Sequence, residues 1–178
     1  MDTQDLTDVD YGSVQAKGIA PIFWIALLSD VLTLPALPVA PTTYAESTTI
    51  VGDIAFKVGK CFKQVQARID QSFLDSETAG ETESMSFNTD FGFSIPTNHP
   101  SALGFIKHFL NKQVVIVAEE LCEGNRFIGG KCNYAYVKSA KIMSGKGQDS
   151  FKGIEVVVGI SGSFPYRYEG AVSLTPAV

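Results

Sequence analysis

The stretch TESMSFNTDFGFSIP, residues 82–96, repeats its chemistry with a period of two. Met85, Phe87, Thr89, Phe91, Phe93 and Ile95 fall on one side of an extended chain, and Ser84, Ser86, Asn88, Asp90, Gly92 and Ser94 fall on the other. A long strand with one apolar and one hydrophilic side belongs to an antiparallel sheet that covers a core on one face only. A slip of one residue in pairing would turn the whole apolar row to water, so the register of its neighbours is tightly constrained. The pattern stops at Pro96, which has no N–H to give to a ladder. What the hydrophilic row faces is the main functional question this chain poses.

Further strands surround it. TIVGDIAF (49–56) and CFKQVQARID (61–70), separated by the short turn KVGK, read as a hairpin. In the second segment Cys61, Lys63, Val65, Ala67 and Ile69 share one side, and Phe62, Gln64, Gln66 and Arg68 take the other. Strands are also expected over 113–120, 125–130, 133–143 and 153–161, the last two divided by the turn SGKGQDSFKG. NHPSALGFIKHFLN (98–111) is the one segment with helical spacing. Leu103, Ile106 and Leu110 recur on one face beside Phe105 and Phe109, Ser101 is placed to cap the start, and Lys107 and His108 point to solvent. The expected fold class is mainly β: an antiparallel β-sandwich or half-barrel with one flanking α-helix at about 100–111, extended N- and C-terminal arms, and a long projecting hairpin loop.

That loop is QSFLDSETAGETES (71–84), which carries Asp75, Glu77, Glu81 and Glu83 around Gly80 and is expected to project as an acidic finger. The domain boundaries follow from composition. Residues 1–48 read as an N-terminal arm, acidic at first and then apolar and proline-rich, because Pro35, Pro38 and Pro41 forbid a helix and favour an extended tether. Residues 49–163 read as the β-rich domain, and 164–178 as an aromatic C-terminal arm. The apolar run 18–40 is interrupted by Asp30 and by prolines, so it lacks the ~20 unbroken apolar residues of a spanning helix. Asp2, Asp5, Asp8 and Asp10 stand where a signal peptide needs basic residues, so neither membrane insertion nor export is expected.

The net charge of −5, with no cluster of Lys and Arg, argues against a protein that grips nucleic-acid phosphates. Cys61, Cys122 and Cys132 form no CxxC pair, which argues against both a zinc site and a disulfide framework and favours free buried thiols. The two histidines, His99 and His108, have no nucleophile at a spacing that would pair them, and the SGKGQ and RFIGGK segments lack the spacing and context of a phosphate loop. The expectation is a non-enzyme with no catalytic, cofactor-binding or metal-binding residues and no cofactor. A sheet with a hydrophilic face, a single covering helix, a finger and two arms suits a subunit that completes itself in an assembly.

The order of these elements resembles the major tail tube proteins of long-tailed bacteriophages. The residues that carry the resemblance are FKVGKCFKQVQARIDQSFLDSETAGETESMSFNTDFGFSIP with its long loop, the helix SALGFIKHFLN, VVIVAEELCEGNRFIGG, and SAKIMSGKGQDSFKGIEVVVGI ending in YRYEG, together about two-thirds of the chain. The resemblance implies a structural virion protein, located in the virion tail and assembled in the host cytoplasm. Its partners would be copies of itself in stacked, commonly hexameric rings, other tail proteins, and DNA that passes through the lumen without specific binding. It further implies that Gln64, Gln66, Arg68, Ser84, Ser86, Asn88 and Asp90 face the lumen, and that Asp75, Glu77, Gly80, Glu81 and Glu83 form an inter-ring loop. The long apolar, proline-rich start departs from the smaller members of that family. Competing expectations are a tube subunit of a type VI secretion or other contractile injection system, another tail component, or a stand-alone β-sandwich binding module.

Overall fold

The computed structural model describes residues 18–68, 71–121, 124–130, 134–144 and 152–177. The acidic start 1–17, Ile69, Asp70, Cys122, Cys132 and most of the 144–153 turn lie outside the described residues.

The chain is mainly β. It opens with β1 (Ile19–Leu27) and β2 (Val31–Thr33), then a single-turn helix α1 (Tyr44–Thr48), β3 (Thr49–Ile50), β4 (Ala55–Phe56) and β5 (Lys63–Gln66). The hairpin β6 (Phe73–Ala79) and β7 (Ser86–Ile95) follows, then the flanking helix α2 (Pro100–Phe109). The chain ends with β8 (Gln113–Glu120), β9 (Arg126–Gly129), β10 (Ala135–Met143), β11 (Gly153–Ser161) and β12 (Tyr166–Tyr168). Among the described residues ten strands form one mixed sheet. Its main path runs β3-β12-β9-β8-β10-β11-β7-β6, with β1 joined to β8 and to β5, while β2 and β4 pair separately. The β3–β12 contact is parallel and the other pairs are antiparallel.

Two apolar clusters lie on opposite sides of β1 and β8. Phe23, Ile25 and Leu27 with Val114, Ile116 and Ala118 face the first cluster; Ala26 with Val115 and Val117 faces the second. Burial on both sides explains why VVIVA in β8 is continuously apolar and does not alternate. The first cluster also receives Phe91, Phe93 and Ile95 from β7 and Ile154, Val156, Val158 and Ile160 from β11, so the sheet folds back over it. The fold-back occurs at β10, which pairs with β8 only through Ala135 and Tyr136 and then follows β11 along its length. Helix α2 closes one end with Ile106 and Phe109. The second cluster is covered by Ile50, Ile54, Phe56, Phe62 and Tyr168, with Leu34, Leu37 and Val172 packed at its margin.

Several sequence expectations change. Residues 19–27, expected in an arm, are β1, inserted between β5 and β8 with Phe23 fully buried. An apolar segment without obvious alternation is what a strand covered on both faces looks like. Of the rest of that expected arm, Leu34 and Leu37 pack on the second cluster. The expected C-terminal arm likewise returns to its own chain. β12 bridges β9 and β3, the Tyr168 hydroxyl donates to the Ala171 carbonyl at 3.0 Å, and the Ala177 N–H donates to Lys60 at 3.0 Å. Residues 49–56 and 61–70 do not form a hairpin with each other: β4 pairs with β2, β3 with β12, and β5 with β1. Phe62, expected on the hydrophilic side, is buried in the second cluster. Helix α2 is capped by His99, whose ring nitrogen accepts from the Ser101 N–H, with Pro100 in the first turn; Leu103 and Leu110 are exposed.

The position of β1 gives a direct test. Phe23→Ala should cost about 3–5 kcal/mol in urea unfolding, as a buried core phenylalanine does; a loss under ~0.5 kcal/mol is what an undocked arm would give.

Candidate functional site

The hydrophilic row of the alternating strand faces outward from a four-stranded layer, in the order β6, β7, β11, β10. Register fixes its members. Asp75 lies opposite Asp90, Glu77 opposite Asn88, and Phe73 opposite Gly92, so the acidic residues expected in a finger share a face with those expected on a wall. Across β7, Gly159 lies opposite Asp90 and Glu155 opposite Ser94; across β11, Lys141 lies opposite Glu155 and Tyr136 opposite Gly159. Asp75, Ser76, Glu77, Asn88 and Asp90 line one shallow depression. The segment expected as a loop is therefore mostly strand: β6 occupies residues 73–79, and only residues 80–85 turn.

Gly80 opens that turn with φ +119°, and the Ser84 N–H donates to the Glu81 carbonyl at 3.0 Å. Glu81, Glu83, Ser84 and Ser86 are exposed at this tip. The other end of the hydrophilic row is covered. The Phe73 ring lies on Gly92, where a Cβ would overlap it, and Ser94 is buried with its carbonyl accepting from the Arg68 N–H at 2.8 Å. An aromatic ring laid over a cross-strand glycine replaces the side-chain packing that glycine lacks.

Gln64 and Gln66 are exposed but do not join this face, whereas Arg68, also exposed, bonds through its backbone N–H to Ser94 at the end of β7. Gln64 and Gln66 sit on β5 opposite Trp24 and Ile22 of β1, on the other side of the first cluster from β7. Equal alternation in two segments does not show that they share a surface; only pairing does.

Two carboxylates directly across a strand pair repel. Asp75 and Asp90 are so placed, and the relief comes from Lys138, a residue that the sequence pattern did not single out. The register of β10 shifts between Val137 and Ser139, and Lys138 there reaches across β11 to Asp90, with Nζ to Oδ2 at 2.7 Å. Its stem crosses Gly159, where a Cβ would stand 2.9 Å from Lys138 Cδ and 3.0 Å from Asp90 Oδ1. The hydrogen bond from Lys138 to Asp90, and the charge of that carboxylate, raise the lysine's pKa. The pairings give this face four carboxylates, Asp75, Glu77, Asp90 and Glu155, against two lysines, Lys138 and Lys141.

A second hollow, beside α2, brings Asp30, Cys61, Lys63, Ser101 and His108 around Phe105 and Phe109. Cys61 is buried and accepts from Lys63 Nζ at 3.6 Å, while Asp30 is engaged by Lys60 at 3.4 Å. Among the described residues no group of three or more His, Cys, Asp and Glu is arranged to hold a metal ion, and no helix is long and apolar enough to cross a membrane. No protein-family model, curated protein or solved structure matches the chain.

The Phe73–Gly92 contact predicts a coupled pair. Gly92→Ala should destabilise by about 1–3 kcal/mol through overlap, and much less in a Phe73→Ala background, as measured by a double-mutant cycle in urea. For Lys138 the folded pKa is the higher one, so its contribution is complete below the unfolded value of about 10.4 and is lost as pH rises through the folded value. Melting curves should accordingly show an alkaline loss of stability above about pH 10.4 that is smaller in Lys138→Met.

Proposed function

We propose that this chain is a structural subunit that assembles into the tail tube of a long-tailed bacteriophage, its acidic face lining a channel for DNA. The observation that carries this reading is the outward face of the β6-β7-β11-β10 layer. It is acid-rich and mostly hydrophilic, with Phe73, Tyr136, Met143 and Val157 as its apolar members; its counterface is the main core, and α2 lies on the core side. A wall for a passing polyanion must not hold it. Each phosphate neutralised by a fixed lysine releases counterions and strengthens retention, so a bore needs few uncommitted cations. Lys138 is held by Asp90, and Lys141 stands 4.0 Å from Glu155.

On this reading the wall consists of Asp75, Glu77, Asn88 and Asp90 with the outward residues of β11 and β10. Gln64 and Gln66 lie away from the bore, and Glu81, Glu83, Ser84 and Ser86 lie at its rim on the hairpin tip. The partners are further copies of the chain, other tail proteins, and DNA in transit; the protein resides in the virion tail after assembly in the host cytoplasm.

Electron micrographs of the purified protein should show annuli or tubes with a central hole. Ser86→Lys with Asn88→Lys should leave the annuli intact but make them retain double-stranded DNA at low salt and release it at high salt, whereas the parent retains none. A species that stays monomeric at high concentration would remove the reading.

A further inference from the structure

The four-stranded layer has two open edges. Among the described residues β6 pairs only with β7, and β10 beyond Tyr136 pairs only with β11. Unpaired edges of this length template strand addition. Their side chains are complementary. On the outward face β6 offers Phe73, Asp75 and Glu77, and β10 offers Ser139, Lys141 and Met143. On the core side β6 offers Leu74 and Ser76, and β10 offers Ile142 and Ala140, with Ile142 61% exposed although it lies opposite fully buried Ile154. Neither Asp75 nor Glu77 has an ion-pair partner among the described residues, and the Lys141 side chain is 67% exposed.

We propose that the β10 edge of one copy receives the β6 edge of the next, antiparallel, with Lys141 opposite Asp75 of the incoming copy. In that register Ser139 meets Glu77 and Met143 meets Phe73 on the outward face, while Ile142 meets Leu74 and Ala140 meets Ser76 on the core side. β6 and β10 run in opposite directions within the layer, since three antiparallel pairings separate them. A second copy in the same orientation therefore presents β6 antiparallel to β10, and the sheet continues without reversing its faces. Addition ends at Met143, whose carbonyl already accepts from Asn98 Nδ2 at 2.7 Å. Because the two edges differ, the contact is heterologous and closes into a ring or runs on as a filament according to its rotation. The occupant is a second copy because its β6 supplies both the acids that suit Lys141 and the apolar residue that covers Ile142. Ring closure rests on the tube reading; the edge contact does not.

Charge reversal on the full-length chain tests the pairing. Lys141→Glu and Asp75→Lys alone should each lower the assembled fraction at least about tenfold at matched concentration in sedimentation, by placing like charges opposite each other. Mixing the two variants in equal amounts should restore assembly, because every contact in an alternating array is then Glu against Asp75-to-Lys or Lys141 against Asp75. No rescue on mixing, with both variants folded by circular dichroism, overturns the proposal. A second measurement reads the contact itself: Ile142→Cys with Leu74→Cys should give oxidised ladders that dilution before oxidation abolishes, and their absence in an assembled sample also overturns it. Annuli formed by Asp75→Lys alone would remove the edge contact and leave the tube reading standing; ladders without annuli would do the reverse.

Discussion

The structure depends on one geometric constraint: side chains along β7 and β11 alternate between a core they must reach and a surface they cannot avoid. Phe91, Phe93 and Ile95, together with Ile154, Val156, Val158 and Ile160, commit the inner face to the first apolar cluster. At roughly 1.5–3 kcal/mol for each large buried side chain, no local preference of the outward residues could overturn that commitment. Asn88, Asp90 and their neighbours are therefore displayed on the outside whatever their mutual repulsion. The acid-rich face follows from burial, and the Lys138–Asp90 contact across Gly159 is how the chain tolerates it.

The two open edges follow from the same fold. β1 and β8 are buried on both sides; β5 joins β1 with Val65 in the first cluster, and β3, β9 and β12 extend from β8 over the second, which among the described residues leaves the outer layer with β6 at one margin and the free length of β10 at the other. A long, unprotected edge is usually blunted by proline, a bulge or charge. Here the charges on the two edges have opposite sign, acidic on β6 and basic on β10, a pattern that discourages like edges from meeting and favours unlike ones. In our proposal a wall that repels DNA and an interface that joins copies draw on the same carboxylate row, with Asp75 at their boundary.

How much of this could be read from residues alone depended on burial. One-sided elements are legible: β7 alternates, and α2 shows the helical spacing of Leu103, Ile106 and Leu110 beside Phe105 and Phe109, although of these Ile106 and Phe109 are the buried ones. β8 is legible as a strand over 113–120. β1 is not legible, because a strand covered on both faces carries no period and its proline neighbours suggest a tether. β6 reads as a loop, because an edge strand rich in Ser, Asp, Glu and Thr has the composition of one, and pairing to β7 is what makes it a strand. Lys138 was invisible because its reach depends on a register shift in β10 that no local signal announces. Shared alternation suggests grouping Gln64 and Gln66 with Asn88 and Asp90, but it cannot say that two strands lie in one layer.

The central claim is that the outward face of β7 becomes the inside of an enclosed bore. Labelling of an Asn88→Cys variant measures this most directly. Before assembly the new thiol should react with both a small maleimide and a polymer-bearing one. After assembly it should still react with the small reagent while the polymer-bearing one is excluded, as expected in a narrow water-filled channel. Equal reaction with the bulky reagent in the assembled particle would place that face on the outside and contradict the account.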